Sequence, residues 1–317
     1  MRRLDLKDVA SKRLLEEGCS RNPFSFFNPP HRGLTIRVSR ILKKNWSLAP
    51  RIESASTVQF GMQAVVCFPD CHVPFEDQAA YDIAFQITEH IYSYYELKEL
   101  VLLGDFIDVY GMSLHDKDPS MGDIAILYDL EFSQANARLD QFDDAFPGVK
   151  KVYIEGNHEY RMKRFLNKFA GPLRNRISIP GELGLYQRPS WKFVPYSRHQ
   201  KHQILNTALY ARHEPICGAK PSTQAERAGK SYICGHTHRT ESGTTVSKIG
   251  KEEITYINAG CLVDIDNKVF DYCKNQPEWT HSIVVIWIDP KTNEFHPQVV
   301  RIRPNKTAIF DGVLFKP

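Results

Sequence analysis

Apolar positions in the first sixty residues fall on helical stripes cut by prolines. Leu6, Val9, Ala10 and Leu14 share one face, which predicts a helix over residues 4–17 with Gly18 as its stop. Asn22-Pro23 and Asn28-Pro29-Pro30 then break any helix. Residues 34–46 mix Ile, Val and Leu with Arg37, Arg40, Lys43 and Lys44, the pattern of a short basic amphipathic helix. From Gly61 the texture changes. Residues 64–68, 100–103 and 151–154 are short apolar runs of buried-strand type, separated by helical patterns over 77–98 and near 123–146. Strands alternating with long helices predict βαβ units and a parallel sheet, hence an α/β fold. Beyond residue 200 the strands come with little helix between them, at 204–210, 231–234, 254–257, 282–288 and 298–302.

Charge sharpens the division into a basic N-terminal extension, residues 1–60, and a body, residues 61–317. The net charge of the whole chain is +4, but the extension holds 12 basic and 5 acidic side chains, so the body is slightly acidic. A basic arm of this kind suits phosphate or an acidic surface, and the extension is expected to pack on the body or meet nucleic acid. Apolar content of 42% is that of a globular protein. The longest strongly apolar run, Ile283–Ile288, is far short of the ~18 residues a membrane span needs, so no membrane role is expected. Seven scattered cysteines without a CxxC pair, and a charged N-terminus without an apolar h-region, point to reduced thiols and a cytoplasmic protein.

The chemistry sits at the strand ends. The first strand runs into Asp70-Cys71-His72, where Asp70 and His72 share a side of an extended backbone and Cys71 points into packing. The second runs into Gly104-Asp105-Phe106-Ile107-Asp108, and Asp105 lies 35 residues after Asp70, about one βαβ crossover. The third ends at Gly156-Asn157-His158-Glu159. In open α/β sheets ligands bind beyond the carboxyl ends of the strands, so these residues meet in one crevice. The later half adds His213 and then Gly235-His236-Thr237-His238. Singly, each block has a plain explanation: a turn, a cross-strand pair, or Asn157 as a helix N-cap. In order, each at a strand end, they form a nest of Asp, Asn and His.

The ordered set DCH (70–72), GDFID (104–108), GNHE (156–159), His213 and GHTH (235–238) resembles the signature of the calcineurin-like metallophosphoesterase superfamily. The resemblance covers roughly residues 61–290, and phage and bacterial members look most similar, which implies a host cytoplasm if the chain is phage-encoded. It implies an αββα sandwich of two mixed β-sheets flanked by helices. It implies two divalent metal ions (Mn, Fe or Zn, with Mn favoured), one held by Asp70, His72 and His238, the other by Asn157, His213 and His236, with Asp105 bridging. His158, oriented by Asp108, would protonate or stabilise the leaving oxygen. Two cations ~3.5–4 Å apart clamp a phosphate and stabilise both attacking and leaving oxygens, so the donor set suits phosphate-ester hydrolysis by metal-bound hydroxide. His199 and His202 compete with His213 for its place, but only His213 follows an apolar strand.

Arg161, and Arg164 beside it, could hold a substrate phosphate, and His115 and Tyr110 could line the cleft. The expected activity is that of a phosphoesterase. The basic extension favours phosphodiesters such as nucleic acid or nucleotide. A phosphomonoesterase, or a catalytically inert nucleic-acid-binding module, are the other readings.

Overall fold

The structure is a computed structural model that describes residues 61–113, 124–215, 220–247, 250–271, 273 and 278–317. The basic extension therefore lies outside the described residues, as does His115. The described residues belong to one compact unit of α/β type built on two mixed sheets.

Strands β1 (Gln63–Phe68), β2 (Glu96–Leu102), β3 (Lys150–Ile154) and β4 (Trp191–Val194) pair in parallel in that order. β10 (Ser282–Ile288) joins antiparallel to β1, and β11 (Phe295–Arg301) antiparallel to β10, giving a six-stranded sheet. The second sheet has five strands in the order β5 (His202–Gln203), β6 (Leu209–Arg212), β7 (Ser231–Cys234), β9 (Glu253–Ala259) and β8 (Thr240–Val246). β12 (Ala308–Phe310) and β13 (Val313–Phe315) form a separate hairpin.

The alternation of side chains explains how these layers meet. Val66, Phe68, Leu100, Leu102 and Tyr153 face helices α1 (Gln78–Tyr94) and α2 (Ile124–Ala145), in a core with Ile83, Ile87, Leu139 and Phe142. Their neighbours Val65, Cys67, Val101, Leu103, Val152 and Ile154 face the second sheet and pack on Leu209, Ala211, Ile233 and Ile257. Burial on both faces makes these strands continuous apolar runs, which is why they are visible in the sequence. Asp77 caps α1 by accepting from Ala80 N at 2.9 Å. The helix ends at Tyr94, earlier than its pattern predicts, because Tyr95 turns extended and β2 begins at once. Cys71 is buried in the core, as read.

Of the strand predicted over 204–210, residues 204–208 are instead the turn between β5 and β6, and Leu209 and Tyr210 open β6. Ile204 N–H donates to Leu209 O and Thr207 N–H to Ile204 O, a reversal set by the polar Asn206-Thr207 pair. After β3 comes α3 (Glu159–Phe169), then the single turn α4 (Ile179–Glu182). A short helix, α5 (Pro221–Ala228), packs Ala225 against Tyr232 and Ile254 on the outer side of the second sheet. No helix among the described residues is long and apolar enough to cross a membrane.

Candidate metal centre

The carboxyl ends of β1, β2, β3, β6 and β7 converge, and the loops leaving them carry the polar residues. Four of those residues adopt left-handed backbone: His72 (φ 52°), Asp105 (φ 46°), His236 (φ 65°) and His238 (φ 56°). Residues with a Cβ pay about 1–3 kcal/mol for such conformations, so the surrounding structure must impose them. The motif glycines make room. Gly104 has φ 94°, and a Cβ there would lie 2.5 Å from His213 Nδ1. A Cβ at Gly235 would overlap the Asp70 carboxylate.

The first group is Asp70, His72 and His238. His72 Nδ1 donates to Asp108 Oδ2 at 2.8 Å, which leaves the lone pair on Nε2. That nitrogen faces His238 Nε2 at 3.1 Å, and His238 Nε2 lies 3.4 Å from Asp70 Oδ1. Burial pushes the His72 imidazole down to about 4, with the neighbouring His158 acting in the same direction, so it enters neutral. The buried Nδ1 of His238 has no hydrogen-bond partner. With the His238 proton on that Nδ1, the lone pairs of His72 Nε2 and His238 Nε2 face each other across 3.1 Å beside the Asp70 carboxylate. A cation would accept all three donors, so the donor set fits a metal ion.

The second group is Asp105, His213 and His236. His213 Nδ1 donates to Leu103 O at 2.9 Å, turning Nε2 toward Asn157 Oδ1 at 2.8 Å and Asp105 Oδ2 at 3.2 Å. His236 Nδ1 reaches the same Asn157 oxygen at 2.8 Å. Asn157 thus spends its side chain on the two imidazoles; His158 takes the helix N-cap position instead, without a capping bond. Burial works against charge on His213, but the Asp105 carboxylate, aided by Asp70 and Glu159, lifts it to about 10. Without an ion, a proton takes the cation's place there. Asp105 and Asp70 would both be raised by burial; the surrounding imidazoles, His213 foremost for Asp105 and His238 for Asp70, hold them below the usual carboxylate range.

Asp105 Oδ2 stands between the groups, 3.2 Å from His213 Nε2 and 3.8 Å from both His72 Nε2 and His158 Nε2. His72, Asp105 and His158 make up a third group. Asp108 ties this region together, accepting from His72 Nδ1 and from His158 Nδ1, the latter at 2.9 Å. Arg161 donates to Asp108 Oδ1 at 3.2 Å and its other amino group reaches His158 Nε2 at 2.8 Å. Burial would raise the Asp108 carboxyl, but the His158 and His72 imidazoles and the Arg161 guanidinium hold it well below the carboxylate range.

On an extended strand His236 and His238, two residues apart, could face one way. Their left-handed turns send them to different groups instead. His199 is exposed, and His202 is buried against Glu99 at 2.7 Å, so neither takes the place of His213. Tyr110 packs its ring on Phe75 at 5.9 Å, behind the Phe270 ring that touches His72. Arg164 is exposed on α3.

Two acids escape the sequence reading. Glu159 is fully buried and accepts from the backbone N–H groups of Asp105, Phe106, Ile107 and Gly156 and from Tyr153 Oη. It locks the β2 and β3 loops into register. Glu131 of α2 accepts from Tyr110 N at 2.8 Å, while its other buried oxygen has no partner. Burial, then the charge of Asp108, pushes Glu131 up to about 8. The fourth position of GNHE hinted at Glu159; nothing in the sequence marks Glu131.

No protein-family model matches the chain, and no curated protein matches it. The mixed α/β fold, with buried His and Asp groups able to hold metal, is compatible with a metallophosphoesterase.

Proposed function

We propose that the protein is a dimetal-dependent phosphoesterase of the calcineurin-like type, its two mixed sheets and flanking helices serving as the αββα sandwich of that superfamily. Its substrates are phosphodiesters, nucleic acid or nucleotide. The reading is carried by one observation: acceptor atoms of Asp70, His72, His238, Asp105, Asn157, His213 and His236 crowd together, with the outward nitrogens of His72 and His213 already committed to Asp108 and Leu103. Such crowding calls for cations.

Two divalent ions, Mn²⁺ foremost, would neutralise the two aspartates, polarise the phosphate and activate water for in-line attack. Asp70, His72 and His238 would hold one ion and Asn157, His213 and His236 the other, with Asp105 available to both. His158 stands over the leaving oxygen with Nδ1 anchored on Asp108. Its Nε2 exchanges the Arg161 contact for the substrate, and the guanidinium so released turns to a phosphate oxygen.

The test is hydrolysis of paired 4-nitrophenyl diesters and monoesters by the full chain with added Mn²⁺. Diester turnover that is abolished by chelation and lowered at least about a hundredfold in His158→Ala is expected. A monoester cleaved as fast would make the protein a phosphomonoesterase. Oligonucleotide binding without turnover of either ester would make it a binding module.

A further inference from the structure

Tyr210 and Arg212 alternate along β6 with Leu209 and Ala211, whose side chains fill the inter-sheet core, so the first pair faces outward beside α5. On that outer face a cavity of 270 Å³ is lined by Arg198, His199, Lys201, Arg212 and Lys230 around Tyr210, and no acidic side chain lines it. The Lys201 and Lys230 ammonium groups lie 5.8 and 5.3 Å from the centroid of the Tyr210 ring, which holds both charges at the cavity. Among the described residues, Arg198, Lys201 and Lys230 are paired with no carboxylate. The body is acidic in net charge, so this concentration of uncompensated cations is local.

The cavity adjoins the metal centre. Gln200, part of its lining, accepts the His213 N–H at Oε1 at 3.0 Å and donates to Glu155 O at 2.7 Å. Tyr210 precedes His213 by three residues of strand, about 10 Å. That is roughly three nucleotide steps at the stacked rise of about 3.4 Å, and fewer for an extended strand. Tyr196, two residues before Arg198 in the chain, packs its ring 4.9 Å from that of Tyr160, and Lys163 Nζ lies 5.6 Å from the Tyr160 ring. Cations interleaved with aromatic faces are the means by which proteins follow a single strand.

We infer that this cavity is a phosphate subsite for single-stranded nucleic acid, holding one phosphate of a strand while a neighbouring phosphate is presented to the metal centre. The inference rests on the phosphoesterase reading and gives it a substrate class. A small monoester has no second phosphate for these cations. A phosphopeptide lacks phosphates at short, regular spacing and bases to lie on the tyrosines.

The test compares the full-length chain with its Lys201→Glu/Lys230→Glu variant; both positions are exposed. The probe is a fluorescent phosphorothioate 12-mer of dT, read by anisotropy across a salt series. The variant should bind at least about tenfold more weakly, and the slope of log K against log salt should shrink by about 1.4, two contacts at about 0.7 each. With a cleavable 12-mer, kcat/KM relative to that for a 4-nitrophenyl diester should fall by the same factor, through KM. Unchanged affinity and slope would overturn the subsite, as would a phosphopeptide of equal charge that binds as tightly and loses as much. If the wild type cleaves neither ester, the catalytic reading falls while anisotropy still decides the subsite.

Discussion

An amino group of Arg161 lies 2.8 Å from Nε2 of His158, on the ring nitrogen opposite the one that Asp108 holds. The imidazole is thus pinned at both ends, and the same guanidinium also contacts Asp108. Lysine offers no planar fork and cannot span two such partners. Arg161→Lys should therefore lower diester turnover by about 10–100-fold, the equivalent of a charged hydrogen bond of about 1.5–3 kcal/mol. Steady-state kinetics on the 4-nitrophenyl diester, with kcat and KM resolved, checks this. A rise in KM accompanying the fall in kcat is expected if the guanidinium also meets phosphate, and unaltered constants would remove Arg161 from the site.

Metal loading should release protons. His213 lies near 10 in the ion-free protein, whereas His72 lies near 4 and is already neutral. A cation at the second group must displace the His213 proton; one at the first group displaces none from His72. Below pH 10 the apparent affinity of the second group should rise with pH, by about tenfold per unit, and level off above. Calorimetric Mn²⁺ titrations at pH 8 in buffers of different ionisation enthalpy should report about one proton released per chain.

Glu159→Gln should destabilise the fold. Five donors converge on this carboxylate, and an amide offers one oxygen and two new donors in their place. Buried donors left unsatisfied cost about 1–3 kcal/mol each, so a loss of several kcal/mol is expected in denaturant unfolding. Metal content should fall as well, because Asp105 N–H is among those donors.

Glu131 predicts a pH dependence of stability. Its folded carboxyl is raised to about 8 while the unfolded chain titrates near 4.5. Between these values the unfolded state sheds the proton and the folded state keeps it. Stability from this group is full below pH 4.5, declines as pH rises, and is lost above 8. Thermal unfolding from pH 5 to 9 should show Tm falling less steeply in Glu131→Gln than in the wild type. Parallel curves would place the titration elsewhere.

The parts of the fold that were legible in the sequence share a physical cause. β1, β2 and β3 are buried on both faces, so their apolar runs stand out, and each terminates in residues fit for a ligand shell. β8, with the sequence TESGTTV, is half exposed along its length and carries no such run. α5 is short and polar, defined by Pro221 at its start and left-handed Gly229 at its end, not by a stripe. At the site, motif order brought the ligand types together in advance. The contact of Arg161 with Asp108 could not be read, because the two are 53 residues apart in sequence. Glu131 was invisible for a similar reason: it answers a backbone N–H across 21 residues, a pairing that leaves no pattern.

His72, Asp105, His236 and His238 each stand on a left-handed turn imposed by the surrounding loops. The directions of these side chains are therefore decided by the backbone before any ion arrives. To transplant the centre into another scaffold, copying the side chains would not suffice. The host would have to reproduce four unfavourable turns and supply enough packing to hold them, and ligands grafted onto relaxed loops would point elsewhere.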